Sequence, residues 1–265
     1  MSRVDTALIM ASGHGSRFFP VTKSVNKAML PLGDRPVVDY LVDQLLEAGV
    51  RHIVFHVSRL DDTLVHYYSN QPAMIEQLEQ QGVAEDRLAR ISNIHLKAEF
   101  SFVTMQDKER YGTSLPLHEI AQSVNVPDQF LLLNSDAVFV GENPFTQIVD
   151  IEGAAILAKE VDEAEVSNYG ILSMHDNKLI EIIEKPSPGQ LPSKFANLGV
   201  YRLTRDVLGK IEAQLKQSVV GEYKITDVIS ELAVTHPIQI LETDCAWLDC
   251  GTPEGLYRAW QSLSK

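Results

Sequence analysis

Residues 6–20 read TALIMASGHGSRFFP, and the rest of the sequence is best interpreted outward from them. The apolar run from Thr6 to Ala11 is typical of a buried strand, and a glycine-containing stretch, Ser12 to Arg17, follows it directly. Where a strand ends, backbone N–H groups beside glycine can approach phosphate oxygens, and an arginine can clamp them. The stretch is neither a Walker loop nor a dinucleotide fingerprint, because no Gly-Lys-Ser/Thr follows and a third glycine is missing.

Short apolar runs alternate with helical patterns along the rest of the chain. The sequence predicts further strands over residues 51–57, 130–133, 154–158, 179–183, 198–203 and 238–242. It predicts helices over residues 37–46, 227–235 and 254–262. This alternation indicates an α/β fold with a Rossmann-like, mainly parallel sheet flanked by helices. We expect a single domain over residues 1–265, with a helical insertion at about 66–95 and a C-terminal extension at about 226–265.

The charge balance excludes some classes of partner. The 265 residues carry 23 Lys and Arg against 36 Asp and Glu, a net charge of −13, which argues against nucleic-acid binding. Residues 1–35 reverse this balance with five basic and two acidic side chains, as expected of a local phosphate site. No apolar run has the roughly 20 residues that cross a bilayer, and no signal-peptide pattern is present. We therefore expect a cytoplasmic protein without a membrane partner.

The sequence gives no sign of a cysteine metal site, a catalytic histidine or a serine nucleophile. Cys245 and Cys250 lack the spacing and partners of a zinc site, so both are interpreted as buried thiols. The eight histidines are scattered and suggest no catalytic imidazole. No base is visible in the sequence that would make Ser12 or Ser16 a nucleophile.

The glycine stretch continues into a longer motif. Gly13-x-Gly15-Ser16-Arg17 is followed by Pro20, Thr22-Lys23, Asn26-Lys27, Met29-Leu30-Pro31 and Pro36. This pattern resembles the signature of the sugar-phosphate nucleotidylyltransferases, Gly-x-Gly-Thr-Arg-x-x-Pro-x-Thr-x-x-x-Pro-Lys-x-x-x-Pro. The resemblance continues in family order over nearly the whole chain, through Gln106, Gly112-Thr113, Asp136, Tyr169-Gly170, Glu184-Lys185-Pro186, Asn197-x-Gly199-x-Tyr201, Gly221-Glu222-x-x-x-Thr226-Asp227 and Trp247-x-Asp249-Cys250-Gly251.

The resemblance implies the nucleotidyltransferase fold and the transfer of a nucleotidyl group to a sugar 1-phosphate, with release of pyrophosphate. The helical insertion and the C-terminal motifs are most similar to the branch that uses UTP and glucose 1-phosphate and makes UDP-glucose. An enzyme that uses dTTP or another nucleotide remains an alternative, as does a non-catalytic relative that binds an NDP-sugar. Because relatives are often dimers or tetramers, a homo-oligomer is expected.

The resemblance also assigns roles to individual residues. It implies catalytic roles, in charge neutralisation, for Arg17, Lys27 and Lys185. It implies nucleotide binding by Ala11, Ser12, Gly13, Gly15, Ser16, Gln106, Gly112 and Ser135, with Gln106 reading the base. It implies sugar binding by Tyr169, Gly170, Glu184 and Asn197. Mg²⁺ would be held by Asp136 and Asp249, although Asp249 would equally suit the cap of a helix near Pro253.

Two departures from the family pattern carry consequences. Asn26 stands where the family has proline, so the loop that carries Lys27 loses one fixed φ angle and is expected to be more mobile. Ser135-Asp136-Ala137 stands where Gly-Asp-Asp is common. The metal site is therefore expected to rest on one carboxylate at this point, completed by Asp249 and phosphate oxygens.

Overall fold

The computed structural model describes residues 3–187, 191–217 and 221–263, and they form an α/β structure. The strands are β1 (Thr6–Ala11), β2 (Pro31–Leu32), β3 (Arg35–Pro36), β4 (His52–Val57), β5 (Glu99–Thr104), β6 (Gln129–Asn134), β7 (Ala137–Val140), β8 (Ala154–Glu160), β9 (Gly170–His175), β10 (Lys178–Glu184), β11 (Phe195–Thr204), β12 (Ile238–Glu242) and β13 (Ala246–Asp249). The helices are α1 (Val37–Glu47), α2 (Thr63–Tyr68), α3 (Pro72–Gln80), α4 (Glu85–Ser92), α5 (Leu115–Ser123), α6 (Phe145–Ile148), α7 (Val207–Leu215), α8 (Ile225–Ala233) and α9 (Pro253–Leu263). Each predicted strand and helix is present, with boundaries shifted by a few residues.

Seven of the nine described strands of the main sheet run in the same direction, so the sheet is mainly parallel as predicted, but two strands differ in direction. Within the described ranges its strand order is β5-β4-β1-β6-β11-β8-β12-β10-β9. The first four strands are parallel, whereas β11 runs antiparallel to both β6 and β8, and β10 runs antiparallel to both β12 and β9. The β9–β10 connection explains part of this difference, because Asp176 and Asn177 both have positive φ angles and form a tight hairpin turn.

Helices cover both faces of the sheet, so a strand such as β1 is buried on both sides. All six of its residues are buried, and alternate side chains enter opposite layers of the core. Ala7, Ile9 and Ala11 pack in the layer that contains the apolar face of α1. Leu8 and Met10 pack in the layer that contains α5, α7 and α8. The carboxyl end of β1, where the glycine-containing stretch begins, is therefore held inside the sheet between β4 and β6.

The C-terminal segment adds a small second layer. β13 pairs with β7 in an antiparallel ribbon outside the main sheet, and α9 packs against β13 and β2. Cys250 is buried in the small core between them, and Cys245 is buried in the main core, so both cysteines are buried free thiols as predicted.

Helices also occupy the predicted insertion, where α3 buries no residue. Its status as an insertion in a single domain stays a prediction. In the described ranges, no helix has the length and apolar character needed to cross a bilayer.

Candidate active site

Two adjoining cavities open at the carboxyl ends of the parallel strands, where ligands bind in open α/β sheets. The larger one, of about 600 Å³, will be called the large cavity; it lies among the glycine loop (residues 12–16), Lys27, His56 and the segment from Asp107 to Thr113. The smaller one, of about 240 Å³, will be called the small cavity; it contains Arg17, Asp136 and Asp249 in its wall. Thr113 and Asn134 line both, so the two cavities are direct neighbours.

The glycine loop is folded tightly onto the segment that carries Lys27. Gly15 adopts a left-handed conformation with φ of 60°, which a residue with a side chain rarely adopts. Its carbonyl accepts hydrogen bonds from the Thr22 hydroxyl and from the Phe18 N–H, both at 2.8 Å. A Cβ atom at Gly15 would lie 3.1 Å from the side chains of Lys27 and Thr22. The glycine is therefore required both by backbone conformation and by close packing.

Side-chain hydrogen bonds of Asn26 tie this segment to β1, which argues against the expected mobility. Its φ angle is −61°, within the range that a proline ring imposes. The Asn26 side chain donates to the Ala11 carbonyl at 2.7 Å and accepts from the Ala28 N–H at 3.0 Å. It thereby caps the short 3₁₀ helix Lys27–Met29 and ties it to the end of β1. Side-chain hydrogen bonds replace the rigidity that the ring would supply.

Lys27 and Asp136 meet between the two cavities. The Lys27 Nζ lies 2.6 Å from the Asp136 Oδ2, and both side chains are about four-fifths buried. Burial raises the pKa of the Asp136 carboxyl, but the charge and hydrogen bond of Lys27 outweigh it, so the pKa lies below its ordinary value. The pair therefore places a cation and an anionic oxygen ligand side by side where the cavities join.

Asp249 supplies a second carboxylate at the same place. The pairing of β13 with β7 sets Asp249 opposite Ala137, next to Asp136. Burial raises the pKa of Asp249, the Gly251 N–H lowers it, and the nearby Asp136 charge raises it further, with a net increase. The carboxylate also accepts the Gly251 N–H at 2.8 Å, so part of its role is to shape this turn.

The two carboxylates fit a hard divalent cation. A Cβ atom at Gly251 would lie 2.9 Å from both the Asp136 Oδ2 and the Asp249 Oδ1, so the glycine keeps open the space between these oxygens. Among the described residues no group of three or more His, Cys, Asp or Glu side chains is arranged around a common metal position. Because Mg²⁺ is usually bound by one or two carboxylates together with substrate phosphates, two are sufficient.

The predicted sugar-binding residues lie together around the small cavity. Tyr169, Gly170, Glu184 and Asn197 all line it. Gly170 pairs with Glu184 across β9 and β10, and a Cβ atom there would lie 3.2 Å from the Glu184 Oε1. The Asn197 amide is held in place by the Tyr201 hydroxyl at 2.7 Å and the Gly199 N–H at 2.9 Å. The four residues thus share one location, and sugar binding by them stays a prediction.

Four other predicted residues are not among those that line either cavity. Gln106 is exposed and donates its side-chain amide to the Thr104 carbonyl at 2.8 Å, so that amide does not face the large cavity. Ser135 and Ala11 are buried behind the cavity walls. Lys185 is exposed beside the small cavity, with a strained φ of 46° and its N–H on the Tyr169 carbonyl. Arg17, Ser12, Gly13, Gly15, Ser16 and Gly112 line one cavity or the other.

Gly112 has a packing role that the sequence did not reveal. Its φ is 145°, and a Cβ atom there would lie 2.3 Å from the Tyr223 carbonyl oxygen. The Ser114 N–H donates to that carbonyl, and the Tyr223 N–H donates to the Tyr111 carbonyl. Backbone hydrogen bonds thus join this wall of the large cavity to the segment that contains Glu222.

Sequence reasoning missed a buried chain of polar side chains beside the glycine loop. The Ser12 Oγ lies 2.8 Å from the His56 Nδ1, and the His56 Nε2 lies 2.7 Å from the Glu119 Oε2. Burial lowers the pKa of His56 more than Glu119 raises it. The partners are separated by 44 and 63 residues, so no local motif could have indicated this contact. Trp247, which belongs to the C-terminal motif but was assigned no role, has a buried Nε1 with no acceptor among the described residues.

Comparison with known proteins gives consistent results. A family model described as nucleotidyl transferase matches residues 6–265. The bifunctional protein GlmU of Methanococcus maripaludis (strain C5) is 30% identical over 260 residues, which are 97% of this chain and 53% of that protein. The chain thus spans about half the length of that relative.

Two further relatives are similar over almost their whole length. The UTP–glucose-1-phosphate uridylyltransferase of Staphylococcus haemolyticus (strain JCSC1435) is 27% identical over 97% of this chain and 91% of that protein. The solved structure of an apo UDP-glucose pyrophosphorylase superposes with a TM-score of 0.85 and 26% identity, covering 98% of both chains. Because the family model covers all but the first five residues, the chain belongs to the nucleotidyl transferase family and is an enzyme of that type.

Proposed function

We propose that this enzyme transfers the uridylyl group of UTP to glucose 1-phosphate, giving UDP-glucose and pyrophosphate. The observation that carries the proposal is the junction of the two cavities, where Lys27, Asp136 and Asp249 meet. The similarity to a UTP–glucose-1-phosphate uridylyltransferase over 97% of this chain supports the choice of substrates. The large cavity would hold the nucleotide and the small one the sugar phosphate.

The reaction joins two polyanions, so positioning and charge neutralisation are the main tasks of the protein. A phosphate oxygen of glucose 1-phosphate attacks the α-phosphorus of UTP and forms the new P–O bond. The bond between the α-phosphorus and the oxygen that bridges to the β-phosphate breaks in line, and pyrophosphate leaves with that electron pair. No net proton transfer from a side chain is needed, which agrees with a site built from cations and carboxylates.

The residues at the junction suit these tasks. The glycine loop presents backbone N–H groups to the triphosphate, and Arg17 follows it directly, in the wall of the small cavity. Lys27 would neutralise charge that develops on the phosphates as the bond forms and breaks. Asp136 and Asp249 would hold Mg²⁺, which when bound neutralises phosphate oxygens and fixes their orientation.

The sugar side of the site offers both acceptors and close backbone approach. Glu184 would accept hydrogen bonds from sugar hydroxyls, and the absence of a side chain at Gly170 keeps the adjoining wall open. Lys185, which is exposed beside the small cavity, is proposed to contact the sugar phosphate. Tyr169 and Trp247 pack together at 4.8 Å between ring centroids and provide an apolar wall.

Release of pyrophosphate tests the proposal directly. The full chain, Mg²⁺ and glucose 1-phosphate are mixed with UTP, dTTP, CTP, ATP or GTP in parallel, with and without a chelator. We expect the highest kcat/KM with UTP, loss of turnover with chelator, and a fall of at least about 100-fold in the Asp136→Asn variant. Higher kcat/KM with dTTP would identify the thymidylyltransferase alternative, and no turnover with any nucleotide would favour a non-catalytic NDP-sugar-binding protein.

A further inference from the structure

The chain Ser12–His56–Glu119 connects three walls of the large cavity. Ser12 belongs to the glycine loop after β1, His56 lies in β4, and Glu119 lies in α5. Both carboxylate oxygens of Glu119 also accept backbone N–H groups: Asp107 donates to Oε1 at 2.7 Å, and Gln106 lies within 3.1 Å of both oxygens. The exposed fractions of His56 and Glu119 are 1% and 6%, so this arrangement is sheltered from solvent.

These contacts fix the direction of every hydrogen bond in the chain. Backbone N–H groups contact both oxygens of the Glu119 carboxylate, so each oxygen acts as an acceptor. Burial lowers the pKa of His56 and so favours the neutral ring, and in a neutral ring the single N–H faces the Glu119 carboxylate from Nε2. The His56 Nδ1 is therefore an acceptor, and the Ser12 hydroxyl donates its proton to it. The Ser12 oxygen is left with lone pairs only.

The Ser12 hydroxyl faces away from the carboxylate pair. β1 lies between β4 and β6, and the Ser12 Oγ is 2.8 Å from His56 in β4, whereas Asp136 follows β6 on the other side of β1. β4 and β6 are two strand spacings apart, roughly 10 Å. Because Lys27 and Asp136 would draw the phosphates, the base would occupy the side of β4 and β5, where Ser12, Met105 and Gly112 line the wall.

We propose that Ser12 reads the nucleotide base as an obligatory hydrogen-bond acceptor, so that the site selects a pyrimidine with an N3–H and rejects cytosine. Uracil and thymine carry a donor at N3, whereas cytosine carries a lone pair there. A lone pair facing the Ser12 oxygen would leave two acceptors opposed in a sheltered cavity, which is unfavourable. This inference rests on the proposed nucleotide-binding role of the large cavity and adds a specificity-determining residue to it.

Two variants test the assignment through the ratio of kcat/KM for UTP to that for CTP. Ser12→Ala removes the acceptor, and we expect the ratio to fall about five- to tenfold, the size of one neutral hydrogen bond. Ser123→Ala, which loses a hydroxyl bonded to the Glu119 carbonyl at the far end of α5, is the matched control and should keep the wild-type ratio.

Glu119→Gln is the sharper test because it reverses the polarity of the chain. The amide oxygen of the variant can keep both backbone N–H groups on the Oε1 side, while its NH₂ donates to the His56 Nε2. His56 then carries its proton on Nδ1 and donates it to Ser12, whose own hydroxyl becomes free to donate into the cavity. We expect a larger loss of UTP preference than in Ser12→Ala, with a gain for CTP.

The double variant separates this mechanism from a loss of structure. If Glu119 acts through Ser12, Ser12→Ala/Glu119→Gln should have the ratio of Ser12→Ala alone. Equal losses with both nucleotides, additive effects in the double variant, or a wild type without preference for UTP over CTP would each overturn the inference. Dissociation constants for UTP and CTP, measured by calorimetry on the same variants, give the ratio without turnover. An inactive wild type that still discriminates UTP from CTP would contradict the proposed reaction but not the base reading.

Discussion

Replacing Asn26 by alanine tests whether this side chain anchors the segment that carries Lys27. The side chain is 4% exposed, and its loss removes the donor to the Ala11 carbonyl and the cap on the Ala28 N–H. Loss of a helix cap costs about 0.5 to 2 kcal/mol, and a buried carbonyl left without its donor costs about 1 to 3 kcal/mol. We therefore expect the free energy of unfolding to fall by about 2 to 4 kcal/mol. Because Lys27 is the next residue, kcat should fall as well, by up to about 100-fold if the ammonium is displaced by 1 Å.

Urea unfolding and pyrophosphate release, measured on the same preparations, check both effects. Asn125→Ala is the matched control, since Asn125 is exposed and should change stability by less than about 0.5 kcal/mol. Asn26→Pro keeps the φ angle and lowers the entropy of the unfolded chain, although it also removes the N–H that donates to the Thr63 Oγ1 at 3.3 Å; on balance it should be less harmful than Asn26→Ala. An Asn26→Ala variant with the stability and kcat of the wild type would refute the anchoring role. An Asn26→Pro variant with a higher kcat than the wild type would show that the asparagine loosens the segment after all.

Three further predictions concern the glycines and the buried histidine. Gly251→Ala should raise the Mg²⁺ concentration for half-maximal rate about tenfold or more by filling the space between the two carboxylates, and an unchanged Mg²⁺ dependence would exclude a metal there. Gly112→Ala should lower the free energy of unfolding by at least about 2 kcal/mol because of the Tyr223 backbone, whereas Gly141→Ala, also at positive φ but with open space around it, should cost less in the same urea titration. Burial lowers the pKa of His56 in the folded chain, so below about pH 6.5 the unfolded chain binds this proton more readily. The free energy of unfolding of the wild type should therefore decrease as the pH is lowered, by up to about 1.4 kcal/mol per pH unit. This part of the slope should be absent in His56→Gln, and identical slopes between pH 5.5 and 7.5 would contradict the assignment.

Local patterns predicted much of the fold, because they report burial directly. The run Thr6–Ala11 is buried at every position, and its length and composition marked it as a central strand. The mixed character of the sheet was not predictable in this way. Strand direction depends on connections such as the turn at Asp176 and Asn177, whose positive φ angles are compatible with their residue types but not dictated by them. The helix α5 escaped prediction because a proline and two polar residues interrupt its apolar pattern.

The site residues that belong to a sequence motif were predictable. Contacts between residues distant in sequence were not. Lys27 and Asp136 were assigned by resemblance, and the structure places them 2.6 Å apart. Asn26 was interpreted only as a missing proline, because the Ala11 carbonyl that it binds lies 15 residues away. Gln106 matches the motif, yet its backbone N–H, not its side-chain amide, contacts the buried network through Glu119.

The pairing of β13 with β7 has a consequence for biosynthesis. The carboxylate of Asp249 reaches Asp136 only when this ribbon forms, and α9 then packs over β13. On the ribosome, the glycine loop, Lys27 and Asp136 emerge more than 100 residues before Asp249. A nascent chain can thus build the central strands early while its reactive centre remains incomplete. Every described strand of the main sheet, up to β12, precedes β13 in the chain, so the proposed metal site is completed only after the last strand of the sheet has been made.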